Sequence, residues 1–119
     1  MVSPALQVLV KRSDFLKAAK AQRKATKSFV LQARQRQPEE ARSGVFVGFT
    51  CSKKVGNAVA RNRAKRRLRE IARQIILPQG RDGWDYVLIG RAKNTAIVPM
   101  DQMCADLQSA LINLHHTSQ

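Results

Sequence analysis

Between Lys53 and Arg73 the chain carries nine cationic side chains, Lys53, Lys54, Arg61, Arg63, Lys65, Arg66, Arg67, Arg69 and Arg73, against one acid, Glu70. This stretch supplies a net +8 of the +14 formal charge. A guanidinium presents paired N–H groups that match the oxygens of a phosphate, so arginines in rows are chemistry suited to a polyanion. At helical spacing Arg61, Lys65 and Arg69 form one row, and Asn62, Arg66, Arg69 and Arg73 a second. Like charges at these steps repel and weaken an isolated helix, a cost that a bound polyanion relieves. A face that only confers solubility usually alternates its signs. The stretch is therefore read as a nucleic-acid-binding surface.

Catalytic groups are not arranged in the same way. Of the eight acidic residues, Asp14, Glu39, Glu40, Asp82, Asp85, Asp101 and Asp106 fall on caps, turns and helix faces. Glu70 sits among arginines, where it pairs within the helix with Arg66 or Arg73. No Ser, His or Cys has a partnering base in the pattern, and the chain is not expected to cut RNA by itself. Cys51 and Cys104 lack a C-x-x-C partner and are read as small buried hydrophobes.

The basic stretch needs a helix to hold it. Gly56 breaks the preceding pattern, Asn57 is an N-cap, and helix formers continue to Leu77, where Pro78 ends the run. Ala60, Ala64, Leu68, Ile71 and Ile75 give this helix one narrow apolar stripe. Before it, Ser13 caps a first helix from about Asp14 to Gln22, with Phe15, Leu16 and Ala19 on its apolar side. Residues 27–36 then alternate, with Phe29, Leu31 and Ala33 opposite Val30, Gln32 and Arg34, a strand with one buried face. A turn over 37–43 makes a hairpin to a second strand, 44–52, whose Val45, Val47, Phe49 and Cys51 face the core, leaving Phe46, Thr50 and Ser52 on the other side. After the basic helix, residues 84–91 read as a near-continuously apolar, central strand that can lie parallel to the previous one in a βαβ unit. Pro99 opens a last helix with Met100, Met103, Leu107, Leu111 and Leu114 as its core stripe.

These elements imply an α/β (α+β sandwich) fold, one mixed sheet of three to four strands with three helices, in a single domain over 1–119. Residues 1–11 are expected as a loosely ordered arm and 115–119, with His115 and His116, as a frayed tail. The pI near 11.2 implies a polyanionic partner. The longest apolar N-terminal piece, residues 5–10, is too short to span a bilayer, and a cytoplasmic location without membrane association is expected.

The run Ser52-Lys53-Lys54-Val55-Gly56-Asn57-Ala58-Val59-Ala60-Arg61-Asn62-Arg63-Ala64-Lys65-Arg66-Arg67-Leu68-Arg69-Glu70 resembles the signature of the protein subunit of bacterial ribonuclease P, with Arg61-Asn62-Arg63 at its centre. Asp14-Phe15, Phe29-Val30-Leu31 and Asp85-Tyr86-Val87-Leu88-Ile89 follow in the same order, so the resemblance spans most of the chain. It implies a four-stranded sheet with a left-handed βαβ crossover. It also implies a function: assisting a catalytic RNA that cuts the 5′ leader from precursor tRNA, in a 1:1 protein–RNA complex.

By the same resemblance, Arg61, Asn62, Arg63, Lys65, Arg66 and Arg69 dock on the catalytic RNA, and Lys53, Lys54 and Asn57 belong to the same block, with Arg73 extending the second row. Magnesium is used by the RNA subunit, and no cofactor is held by protein side chains alone. A cleft between the first helix and the sheet binds the single-stranded leader. Phe15, Val30 and Gln32 match its positions, and the alternation adds Arg34, Phe46, Thr50 and Ser52. Phe15 and Val30 serve equally as core residues. Ala19 and Gln32 stand where relatives carry aromatic side chains, so stacking on the leader is expected to be weaker here, with Phe46 compensating. The alternatives are a ribosomal-RNA-binding or other basic RNA assembly protein without turnover, and a DNA-binding module. Against the latter, a strand and not a second helix precedes the basic helix.

Overall fold

A computed structural model describes residues 7–40 and 43–117. Its elements, in chain order, are β1 (Gln7–Val8), α1 (Arg12–Ala19), β2 (Gln22–Ala25), β3 (Phe29–Gln35), β4 (Phe46–Cys51), α2 (Ala58–Ile71), α3 (Leu77–Gln79), β5 (Trp84–Gly90), α4 (Asn94–Ile97) and α5 (Met100–Thr117). The five strands form one mixed sheet in the order β1-β4-β5-β3-β2. β5 is central, parallel to β4 and antiparallel to β3. Its apolar run follows from that place, since a strand with neighbours on both sides and elements on both faces meets little water.

One face of the sheet carries the main core. Phe29, Leu31, Ala33, Val47, Phe49, Tyr86 and Leu88 pack there against Leu68, Ile71 and Ile76 of the basic helix and against Met103, Leu107 and Leu111 of α5. On the other face, α1 closes a smaller cluster around Leu9, Ala18 and Val87, with Phe15, Phe46 and Ile89 at its margin. Both sides of β3 are consequently covered, Val30 and Arg34 as well as Leu31. The expectation of a single buried face is therefore not met: on the second face only Gln32 keeps partial exposure.

Several expectations require correction. The sheet has five strands, because β2 pairs with β3 along Gln22–Ala25 and β1 pairs with β4 at the opposite edge. The hairpin expected between β3 and β4 does not form, because β5 is hydrogen-bonded between them. α1 starts at Arg12 with Lys11 as its N-cap residue, and it ends at Ala19 because the next residues turn into β2. The expected loose arm is strand and core over residues 7–9: Leu9 donates its N–H to the Val47 carbonyl at 2.9 Å and is only 4% exposed. The remainder of that arm, residues 1–6, lies outside the described residues.

At the other end the expected frayed tail is helix to Thr117, and His115 is buried with its Nε2 2.6 Å from the Tyr86 hydroxyl. Residues 118–119 lie outside the described residues.

The basic helix itself runs past Ile71 through a π-helical turn, Ala72–Ile76, into α3, so that Pro78 sits in the first turn of α3 and not beyond the helix end. An extra residue in one turn rotates the stripe by one position. Ile76 is therefore fully buried, whereas the expected Ile75 is only half-buried.

Candidate nucleic-acid interface

The geometry of the basic face begins before the helix. Ser52 Oγ accepts from the Lys54 N–H at 3.3 Å, and the chain makes one 3₁₀ turn over Lys53–Val55. Gly56 then adopts φ 140°, where a β-carbon would stand 2.8 Å from that of Ala60. Asn57 Oδ1 accepts from the Ala60 N–H at 2.9 Å, the N-cap expected from its position. With Ala64, Leu68 and Ile71 turned into the core, Asn62, Arg63, Arg66, Arg69 and Arg73 are left exposed, with Arg61 and Lys65 half-buried beside them. Lys53, Lys54 and Asn57 are exposed at the same end. All ten expected docking residues are thus exposed or half-buried along α2 and the turn before it.

Three arginines of this stretch have partners within the chain. Arg73 pairs with Glu70 through Nε at 3.0 Å and Nη2 at 2.5 Å, which settles the choice left open between Arg66 and Arg73. That pairing holds the Glu70 carboxyl below its ordinary range. Arg69, exposed as a residue, lays its guanidinium over the Phe49 ring, 5.4 Å from its centroid. Arg67 turns inward: its Nε donates to the Thr95 carbonyl at 2.8 Å and its Nη2 to the Val98 carbonyl. It fastens the 95–98 segment to the helix and is not part of the outward-facing basic rows. Cys51 lies under Arg61 and Lys65, but burial pushes its thiol up despite those charges, so it is not poised as a thiolate.

Sequence reasoning missed two further cations. Arg91 and Lys93, beyond the end of β5, line a cleft of about 490 Å³ together with Asn57 and Arg63. Lys93 has φ 68°, the one non-glycine residue in the left-handed region among the described residues. Only the parallel βαβ connection brings them beside the start of α2, a juxtaposition of residues far apart in the chain that no local pattern announces.

The second surface is the groove beside α1. Register places Ala25, Val30, Ile89 and Thr50 in one row across the sheet and Arg23, Gln32, Val87 and Gly48 in the next. Phe15 lies over the second row, so close that a β-carbon on Gly48 would stand 2.5 Å from its Cε1. Gln32 and Thr50 are half-buried and Val30 is buried beneath this groove. Phe46 is half-buried at its far end under the Arg36 guanidinium, 5.0 Å from the ring centroid. Ser52 lies past the end of β4, where its hydroxyl serves the turn before the basic helix.

Arg34 is the expected groove residue that the structure removes. It is 8% exposed and ion-paired to Glu40 at 2.7 Å, to Asp85 at 3.0 Å and to Asp14 at 3.6 Å. Arg36 completes this network through Asp85 at 2.6 Å and the Trp84 and Gly44 carbonyls at 2.9 and 2.6 Å. The physical reason is the central strand: Asp85 on it is fully buried and draws two cations inward. Arg23, opposite Gln32 in the register and exposed, supplies the cation that the groove lacks from Arg34.

Among the described residues no group of three or more His, Cys, Asp or Glu is placed to hold a metal ion, and no helix is long and apolar enough to cross a membrane.

The chain is similar to known proteins in sequence and in fold. The family model for Ribonuclease P matches residues 4–115. The ribonuclease P protein component of Ruegeria pomeroyi is 61% identical over 113 residues, covering 95% of this chain and 90% of that protein. The corresponding component from Paramagnetospirillum magneticum is 45% identical, covering 89% and 80%. Among solved structures, the Staphylococcus aureus RNase P protein is 25% identical with a TM-score of 0.62 and 97% of each chain covered. The Thermotoga maritima RNase P protein is 27% identical, also at 0.62, covering 91% of this chain and 94% of that one.

Proposed function

The chain belongs to the ribonuclease P protein family, and from that premise we propose how its two surfaces divide the work of removing the 5′ leader from precursor tRNA. The face of α2 docks on the catalytic RNA through Lys53, Lys54, Asn57, Arg61, Asn62, Arg63, Lys65, Arg66, Arg69 and Arg73. The groove beside α1 receives the single-stranded leader against Phe15, Gln32, Thr50 and Ile89, with Val30 as its floor, Phe46 at its end and Arg23 as its cation.

The observation that carries this reading is the disposition of the α2 cations. Apart from Arg67, they lie on the outer side of a helix whose other side is core, and Glu70 is the only acid that answers them along that helix. Neutralising phosphates releases counterions, so docking is steeply salt-dependent. The chain contributes positioning and charge, and the bond-breaking belongs to the RNA with its own magnesium ions. One protein per RNA suffices for this division, and it calls for no membrane.

Adding the chain to a catalytic ribonuclease P RNA and a precursor tRNA at low magnesium tests it. Cleavage and precursor affinity are both expected to rise. Equal cleavage with and without the chain would remove the reading, and cleavage by the chain without the RNA would remove the division of labour.

A further inference from the structure

The cleft between the start of α2 and the segment after β5 has features that docking on a phosphate backbone does not use. Its walls are apolar: Val55, Val59, Ala60 and Ala96. Val59 is 77% exposed on the outer side of the most cationic helix of the molecule. A β-branched side chain there helps neither helix propensity nor solubility, and it lines the cleft beside Val55, Ala60 and Ala96. Cations stand at the rim: Arg63 from α2, and Arg91 and Lys93 from across the cleft, with no acidic residue in the lining. Arg91 is held in position, its Nη1 donating to the Thr26 carbonyl at 2.6 Å and its backbone N–H to Thr95 Oγ1 at 2.7 Å. Lys93, at φ 68°, sits in the middle of a tight turn closed by the Asn94 N–H donating to the Ala92 carbonyl at 2.7 Å. Asn57 adds an amide beside them.

An apolar slot with a few polar groups at its mouth is how proteins hold a small planar ligand, and the volume of about 490 Å³ is within the usual range for one. We propose that this cleft takes a single unstacked nucleotide of the RNA that α2 docks on. The base lies against Val59 and Ala96, and its phosphate is bracketed by Arg63, Arg91 and Lys93. Bases in loops and bulges are available for such capture, whereas a paired helix offers only its backbone. The inference rests on the docking reading above for the identity of the RNA, and it adds a base-binding subsite continuous with that surface.

Amide chemical shifts of the full chain titrated with adenosine 5′-monophosphate, ribose 5-phosphate and inorganic phosphate test it. Adenosine 5′-monophosphate is expected to shift Val59, Lys93 and Ala96 saturably, at least fivefold more tightly than ribose 5-phosphate. Val59→Ser, a change at an exposed position that leaves the fold intact, and Ala96→Trp, which fills the slot, are each expected to remove most of that preference. The Arg66→Ala, Arg69→Ala double variant is expected to keep it. Equal affinity for the nucleotide and ribose 5-phosphate would reduce the cleft to a phosphate contact and overturn the proposal, as would shifts confined to residues elsewhere. Because the titration contains no ribonuclease P RNA, failure of assembly on that RNA and failure of this subsite are separate results.

Discussion

Arg34 and Glu40 face each other through two parallel hydrogen bonds, Nη1 to Oε2 at 2.9 Å and Nη2 to Oε1 at 2.7 Å. The pair closes the loop after β3 onto the buried Asp85 and ties α1 in through Asp14. The Arg34 hydrogen bond, helped by the Gln37 N–H, pulls the Glu40 carboxyl from 4.5 down to about 2. A carboxylate whose folded value lies below its unfolded one stabilises the fold fully above the unfolded value, and that contribution is lost as the pH falls through the folded one. Unfolding free energy is therefore expected to decline between pH 4.5 and about 2, and Glu40→Gln should flatten that decline when urea midpoints are measured across it.

Arg34→Ala follows from the same ion pairs. It leaves Asp85 buried with half its cationic company, and removal of one member of a buried ion network typically costs about 3–5 kcal/mol. A large drop in the urea midpoint is expected, whereas Arg23→Ala, at an exposed position, should leave the midpoint nearly unchanged and weaken precursor binding. The opposite pattern in the two variants would restore Arg34 to the groove.

Within the arginine-rich run, Arg67 is a tie between α2 and the 95–98 segment, and its neighbour Arg66 is a surface cation. Arg67→Ala orphans two carbonyls, those of Thr95 and Val98. The expected loss is about 1–3 kcal/mol, read as a melting temperature lower by several degrees. Arg66→Ala is expected to stay within about 0.5 kcal/mol. Thermal denaturation of both, side by side, checks the assignment; equal melting temperatures would count against it.

How much of this is visible in the residues depends on range. α2, β4, β5 and α5 have long, regular patterns, and each appears near its expected place. β2, Gln22–Ala25, has no apolar alternation because it is a largely exposed edge strand, paired to β3 on one side. β1 is two residues long and is recognisable only once β4 lies beside it. The π turn leaves no mark in the periodicity until the last buried residue proves to be Ile76. Arg67 borders the buried stripe, three residues after Ala64 and four before Ile71, whereas Arg66 lies off it; the carbonyls that receive Arg67 belong to a segment distant in the chain and are not visible in the local pattern. His115 reads as a tail residue because its partner, Tyr86, is on another element.

The outward-facing arginines carry a prediction of their own. For every phosphate left without its cation, the magnitude of the slope of log affinity against log salt falls by about 0.7–0.9. Arg66→Ala with Arg69→Ala is expected to reduce the slope for the catalytic RNA by about 1.4–1.8. Arg69 also rests on Phe49, so that variant loses in addition about 0.5–1 kcal/mol of stability. Filter binding over a salt series gives the slope, and a slope unchanged from the parent chain would mean that this face touches no phosphate.

The groove beside α1 depends on Gly48, because only a residue without a β-carbon lets the Phe15 ring lie on the sheet. In Gly48→Ala the new methyl would meet Phe15 Cε1 at 2.5 Å and Cζ at 2.7 Å, with Leu9 Cβ at 3.3 Å behind it. Neither neighbour yields cheaply, since Phe15 is carried by α1 and Leu9 is anchored by its backbone bond to Val47. Overpacking of this kind costs about 1–3 kcal/mol. The ring is therefore displaced from the sheet, and the groove is disturbed together with the fold. Shortening the ring in Phe15→Leu gives back the space, so the double variant Gly48→Ala, Phe15→Leu is expected to recover most of the stability while discriminating poorly between precursors of different leader length. Urea midpoints for the parent, both single variants and the double variant give the coupling, and precursor affinity against leader length gives the function. Additive stability changes would show that the two residues do not meet. Undiminished leader discrimination in the refolded double variant would separate Phe15 from leader binding.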